Sequence, residues 1–144
     1  MRRHAELKGQ QAFTMIELII IMIILGLLAS LVAPKLIQKV GSSMVKTART
    51  QISMLETGLD AYRLDLGRYP SSEQGLRALV EKNESPSWEG PYLRKQVPLD
   101  PWGRDYQYRS PGEHGPFDLF SLGADGALGG EGEDADVVNW ESKP

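Results

Sequence analysis

Apolar and polar positions divide this chain into stretches of different period. From Phe13 to Ala33 nearly every residue is apolar, FTMIELIIIMIILGLLASLVA, and Glu17 is the one charge. A helix of 21 residues, at a rise of about 1.5 Å each, spans roughly 30 Å, the hydrocarbon thickness of a bilayer. After Pro34 the pattern becomes amphipathic. Leu36, Val40, Met44, Ala48, Ile52, Leu55, Leu59, Tyr62 and Leu66 follow in steps of three or four, the period of one helical face. Together the two stretches predict one long helix from Phe13 to Leu66. Pro34 removes a backbone donor inside it, and Gly26, Gly41 and Gly58 are further weak points.

Beyond Leu66 the period shortens. Gly67-Arg68-Tyr69-Pro70 ends the helix, with Gly after the last periodic residue and Pro soon after. Ser71, with Gln74 three residues on, predicts a cap and a short helix to about Glu81. Residues 83–91 read as a loop and Asp100–Gly103 as a turn. Asp105–Arg109 and Phe117–Leu122 are strand candidates, joined by Ser110–Pro116 as a hairpin. An acidic, Gly-rich tail follows, closed by an apolar clasp from Val137 to Trp140.

The 144 residues carry 16 Lys+Arg and 19 Asp+Glu, a net charge of -3. That charge excludes a strongly basic nucleic-acid binder. The charge is uneven: +2 over residues 1–12 and -5 over residues 13–144. Arg2, Arg3 and Lys8 before the apolar stretch place the N-terminus in the cytoplasm and the bulk of the chain outside. The absence of cysteine excludes disulfides, thiolate zinc sites and thiol nucleophiles. His4 and His114 are the two histidines, and His114 lies in a turn-like PGEHG run that reads as a loop. Ser121 has no GxSxG setting, and no Gly-Lys phosphate cradle occurs. Catalysis finds little support. Trp88, Trp102 and Trp140 read as core or interface plugs, and Arg68 and Tyr69 as packing at the helix end.

A secretory signal peptide fits the N-terminus less well than an anchor. Its apolar region would be about 7–15 residues, and only Ala29-Ser30-Leu31 with Ala33 imitates a cleavage site. The junction Gln10-Gln11-Ala12, then Phe13-Thr14-Met15-Ile16-Glu17, resembles the class III signal of type IV pilins and pseudopilins. That resemblance implies cleavage on the cytoplasmic side between Ala12 and Phe13, and methylation of the new Phe13 amine. It also makes Glu17 the assembly residue. A cationic N-terminus in an apolar zone is costly unpaired and less so beside a neighbour's carboxylate. Ala12 stands where Gly is usual. Gly9 is a poorer site, because Phe does not follow it and Glu17 would be misplaced.

Three further stretches, YRLDLGRYPSSEQGLRAL, DPWGRDYQYRSPGEHGPFDLFSLGADG and GGEGEDADVVNW, resemble the major pseudopilins of type II secretion systems, the G-type subunits. The resemblance runs from about Phe13 to Trp140. It implies an α+β, pilin-like fold: a long N-terminal helix, transmembrane in its first half, packed on a small C-terminal antiparallel sheet. Residues 1–12 would be a removed leader, 13–33 the transmembrane and fibre-core helix, and 34–144 a periplasmic domain. The implied function is a structural subunit, not an enzyme, that polymerises from the bacterial inner membrane and drives protein export through an outer-membrane secretin. The implied partners are further copies, minor pseudopilins, a prepilin peptidase and methyltransferase, an inner-membrane platform and an assembly ATPase. A type IV pilin or minor pseudopilin is the alternative. The missing cysteine pair weighs against the pilin, and the retained Glu17 against the minor subunit that typically lacks it. A membrane-anchored periplasmic enzyme or calcium-dependent binding domain is disfavoured by the motifs.

Residues 125–136, DGALGGEGEDAD, hold five carboxylates (Asp125, Glu131, Glu133, Asp134, Asp136) among four glycines. Calcium takes about six to eight oxygens from carboxylates, carbonyls and water. The EF-hand pattern fails at Ala127 and Gly129, and the single GGxGxD match is weak, since such repeats stack. On the residues alone, a calcium site and a solvated acidic loop both stand. The resemblance implies one bound calcium, held by Asp125, Asp136 and the Leu122 carbonyl, with Glu133 or the Gly132 carbonyl contributing. Gly132 lacks the carboxylate that relatives with Asp at this position would offer.

Overall fold

Helix α1 (Met15–Leu66) is the backbone of the molecule. The computed structural model describes residues 13–141, with the side chains of 35–38 outside that description. The expected start at Phe13 shifts by two residues because Thr14 caps the helix. Its Oγ1 accepts from the Glu17 N–H at 3.2 Å, and Glu17 lies in the first turn, where a carboxylate complements the positive end of the helix. Pro34 lies within α1 without ending it.

The chain divides into two compact units, residues 1–38 and 39–144. In the first, the large hydrophobic side chains from Phe13 to Val32 are all exposed. This part of α1 is long and apolar enough to cross a membrane.

In the second unit α1 buries one face. Ala48, Ile52, Leu55, Leu59 and Tyr62 join Leu76, Leu79, Leu93, Tyr106, Phe117, Leu119 and Val137 in one core. The apolar stripe expected from Leu36 is therefore buried only from Ala48. Met44 is half-buried, Val40 exposed, and Leu36 is among the side chains not described. Gly58 makes room for a neighbour in this core. At Gly58 a Cβ would stand 3.1 Å from the Leu93 side chain. Gly67, at φ +75°, ends α1 with its N–H donating to the Arg63 carbonyl at 2.7 Å.

The Ser71–Gln74 cap forms, with the Ser71 N–H on Gln74 Oε1 at 3.0 Å and the Gln74 N–H on Ser71 Oγ at 3.3 Å. The expected helix to Glu81 does not follow. Gly75 at φ +59° breaks it, leaving a single 3-10 turn, Leu76–Leu79. Three short strands, β1 (Gln107–Arg109), β2 (Asp118–Ser121) and β3 (Val137–Val138), form an antiparallel sheet in the order β1-β2-β3. The expected hairpin is present with Gln107 opposite Phe120 and Arg109 opposite Asp118. The apolar clasp is a third strand, pairing Val138 with Phe120 and Val137 with Ser121. Tyr69 at the helix end packs edge-on against Phe117, 4.7 Å between centroids. Arg68 is exposed.

Candidate functional site

The cleavage residue Ala12 lies outside the described residues. Phe13 and Glu17 are exposed at the start of α1. Among the described residues no side chain buries this apolar stretch, so its surface is open to lipid or to further copies.

The acidic loop leaves β2 at Leu122 and returns at β3. Its two ends are tied by backbone bonds: Ala124 N–H to the Glu133 carbonyl at 2.9 Å, and Asp136 N–H to the Gly129 carbonyl at 3.2 Å. Asp136 Oδ2 accepts from the Gly129 N–H at 3.0 Å. Asp125 is exposed and folds on itself, Oδ1 accepting from the Ala127 N–H at 3.0 Å. Leu122 is half-buried and Gly132 exposed. Glu133 points elsewhere: a Cβ on Gly41 would fall 1.6 Å from its carboxyl carbon, so its side chain lies over α1 at that glycine. Among the described residues no three acidic or imidazole side chains gather closely enough to hold a metal. One observation fits a cation. Asp136 Oδ1 is buried and has no hydrogen-bond partner, and a buried carboxylate oxygen without a donor is costly.

The loop is fixed to the rest of the domain by residues whose part in it the sequence does not announce. Asp100, buried in the Asp100–Gly103 turn, accepts on Oδ1 from the Trp102 and Arg104 N–H groups at 3.1 and 2.8 Å. Its Oδ2 takes the Ser121 hydroxyl at 2.6 Å, and Ser121 Oγ accepts from the Gly123 N–H at 3.4 Å. The Arg104 guanidinium donates to the Gly123 and Ala124 carbonyls at 2.6 and 2.9 Å. Thus the DPWG and SLGADG motifs are in physical contact. Ser121 carried the signal: it sits on the core side of β2 with Phe117 and Leu119, where a hydroxyl needs a partner.

Asp118, also buried, fixes the hairpin loop. It accepts from the Glu113 N–H at 2.9 Å, the His114 N–H at 3.1 Å and Arg109 Nη2 at 3.1 Å. Burial alone would raise its pKa. The two backbone N–H groups, Arg109 and His114 outweigh it and hold the carboxyl at about 2. The His114 ring lies 3.3 Å from Asp118 and stacks on Trp140 at 4.1 Å. It is the loop residue expected, here clasping the C-terminal segment.

Residues 35–140 match the family described as type II secretion system (T2SS), protein G, and residues 7–33 match the prokaryotic N-terminal methylation motif. The chain is 46% identical over 139 residues to the type II secretion system core protein G of Pseudomonas aeruginosa, covering 94% of this chain and 98% of the relative. It is 47% identical over 139 residues to the protein of that name from Vibrio cholerae, covering 94% of each. The crystal structure of the major pseudopilin from the type 2 secretion system of enterohaemorrhagic Escherichia coli superposes with a TM-score of 0.59 at 39% identity. That match covers 74% of this chain and 95% of the other.

Proposed function

Because the chain belongs to the type II secretion system protein G family and is a structural subunit of the pseudopilus, we propose that it acts by polymerisation alone, with no chemistry of its own. The alternative of a type IV pilin or minor pseudopilin is set aside by the same matches. The observation that carries the reading is the uncovered apolar surface from Phe13 to Val32, headed by Glu17. The subunit waits in the bacterial inner membrane as a single span over residues 13–33, with residues 34–144 in the periplasm. A prepilin peptidase removes residues 1–12 and methylates Phe13. The amine of one subunit then meets Glu17 of the next. Each unpaired charge would be costly in an apolar surround, so the pair sets the register of the fibre. An inner-membrane platform and an ATPase drive growth, minor pseudopilins complete the fibre, and cargo leaves through a secretin.

Mass spectrometry of membrane-extracted protein tests this. The expected chain begins at Phe13 and carries one added methyl group. An N-terminus near residue 34 would mean a cleaved export signal and would overturn the fibre-core role.

The same reading includes a calcium ion in the acidic loop, supported by the buried Asp136 oxygen that lacks a donor. Asp125, Asp136 and the Leu122 carbonyl would hold it, with the Gly132 carbonyl completing the set, because the Glu133 side chain lies over α1 at Gly41. Calcium would supply a positive centre that many oxygens can share. Asp125 and Asp136 would then tie the two ends of the loop together beside β3 and Trp140.

A further inference from the structure

The backbone of Arg104 is fixed independently of its side chain. Its N–H donates to Asp100 Oδ1 at 2.8 Å and its carbonyl accepts from the Asp100 N–H at 2.7 Å. From that anchored position the exposed side chain reaches the first turn of the acidic loop. Nη1 takes the Gly123 carbonyl at 2.6 Å and Nη2 the Ala124 carbonyl at 2.9 Å. The fork also lies against the backbone of Gly126, where a Cβ would stand 2.8 Å from the guanidinium carbon. Gly126 is at φ +71°, a conformation other side chains rarely adopt. Two adjacent carbonyls turned toward one point, beside five carboxylates in twelve residues, are an arrangement that calls for positive charge.

We propose that Arg104 is a positioning residue of the acidic loop: its guanidinium is a covalently tethered cation that holds the first turn, Gly123–Gly126, whether or not a divalent ion is bound. A guanidinium is part of the chain, so a chelator cannot remove it. Its planar fork matches two neighbouring carbonyls, which a single point charge matches less well. The second half of the loop, Gly129–Asp136, is held without a cationic donor: by the Ala124 N–H on the Glu133 carbonyl, the Asp134 N–H on the Glu131 carbonyl and the Gly129–Asp136 bonds. A divalent ion would then order that second half against a first half already in place. Only this last step rests on the calcium reading above.

The test is limited proteolysis of the full chain in detergent micelles with an endoprotease that cuts on the N-terminal side of Asp, following cleavage before Asp125, inside the first turn, by mass. When opening is fast relative to cleavage, the rate follows the open population. In chelator, Arg104→Gln is expected to be cut on the order of tenfold faster than wild type, from losing two charge-assisted hydrogen bonds. Arg104→Lys retains the charge without the fork and is expected to be cut nearly as fast as Arg104→Gln. Cleavage of Arg104→Gln at the wild-type rate in chelator would overturn the proposal. Cleavage of Arg104→Lys at the wild-type rate would overturn the role of the fork. Both variants keep the Arg104 backbone bonds and leave the core intact, so far-ultraviolet circular dichroism should match wild type. Calcium is expected to slow all three proteins and draw their rates together. If calcium leaves wild-type cleavage unchanged, the calcium reading fails, while the comparison in chelator still decides the role of Arg104.

Discussion

Between Ile16 and Val32, helix α1 exposes every large hydrophobic side chain, whereas between Ala48 and Tyr62 the same helix buries Ala48, Ile52, Leu55, Leu59 and Tyr62 against its own sheet and loops. Both stretches are apolar, and the difference lies in what covers them. The later stretch finds its partners within the chain: Leu79, Leu93, Leu119 and Val137 close over it. Among the described residues the earlier stretch finds none, which leaves it open to lipid or other copies. Folding of the C-terminal unit and assembly through the N-terminal segment are therefore separable properties of one helix.

The largest separation should appear in paired core and segment substitutions. Leu59→Ala removes a fully buried side chain and should destabilise the C-terminal unit by about 2–5 kcal/mol. Ile20→Ala, at an exposed position, should leave that stability within about 0.5 kcal/mol. Thermal melting of the full chain in micelles measures both. A comparable loss in the two would break the division.

Calcium removal should come next. An ion bound only by the folded loop stabilises by about 2.7 kcal/mol at a hundredfold excess over its Kd. For a unit of roughly 100 residues, each 1 kcal/mol moves Tm by about 4–8 °C. Chelator should thus lower the melting temperature of wild type and leave Asp125→Ala unchanged. Identical melting of wild type with and without calcium would reduce the loop to a solvated acidic surface.

A smaller effect should follow acidification. Asp118 is held at about 2, below its ordinary 3.8. Its contribution is fully present above pH 3.8 and is lost as pH falls through about 2. Wild type should therefore lose more stability than Asp118→Asn between pH 4 and pH 2. Parallel losses would mean that the hairpin loop does not depend on the carboxylate.

Much of this architecture is legible in periodicity. The three- and four-residue steps mark the buried face, Gly67 and Pro70 mark its end, and alternation marks the β1–β2 hairpin. The sites are less legible because their partners are remote in sequence. Asp118 looks like an outward strand residue until the hairpin loop and Arg109 are seen to close on it. Arg104 looks like the residue that merely follows the Asp100–Gly103 turn until its guanidinium meets carbonyls some twenty positions away. Gly75 shows the limit of local signals: the Ser71–Gln74 cap forms as expected, and the positive φ one residue later cancels the helix it announces. Position 17 is explained twice, its backbone N–H by the Thr14 cap it completes and its carboxylate by the neighbour it would meet in the fibre.

Substituting Glu17 separates those two explanations. The Thr14 cap uses the Glu17 backbone N–H, which Glu17→Val retains, so membrane insertion and the melting of the C-terminal unit should match wild type. Leaving the neighbouring amine unpaired in an apolar surround costs about 3–5 kcal/mol, enough to reduce fibre yield on the order of a hundredfold or more. The decisive measurement is fibre yield and melting temperature of Glu17→Val side by side. Loss of fibres with unchanged melting is the predicted result. Wild-type fibre yield, or a fall in melting that accompanies the loss, would contradict the separation of assembly from folding along α1.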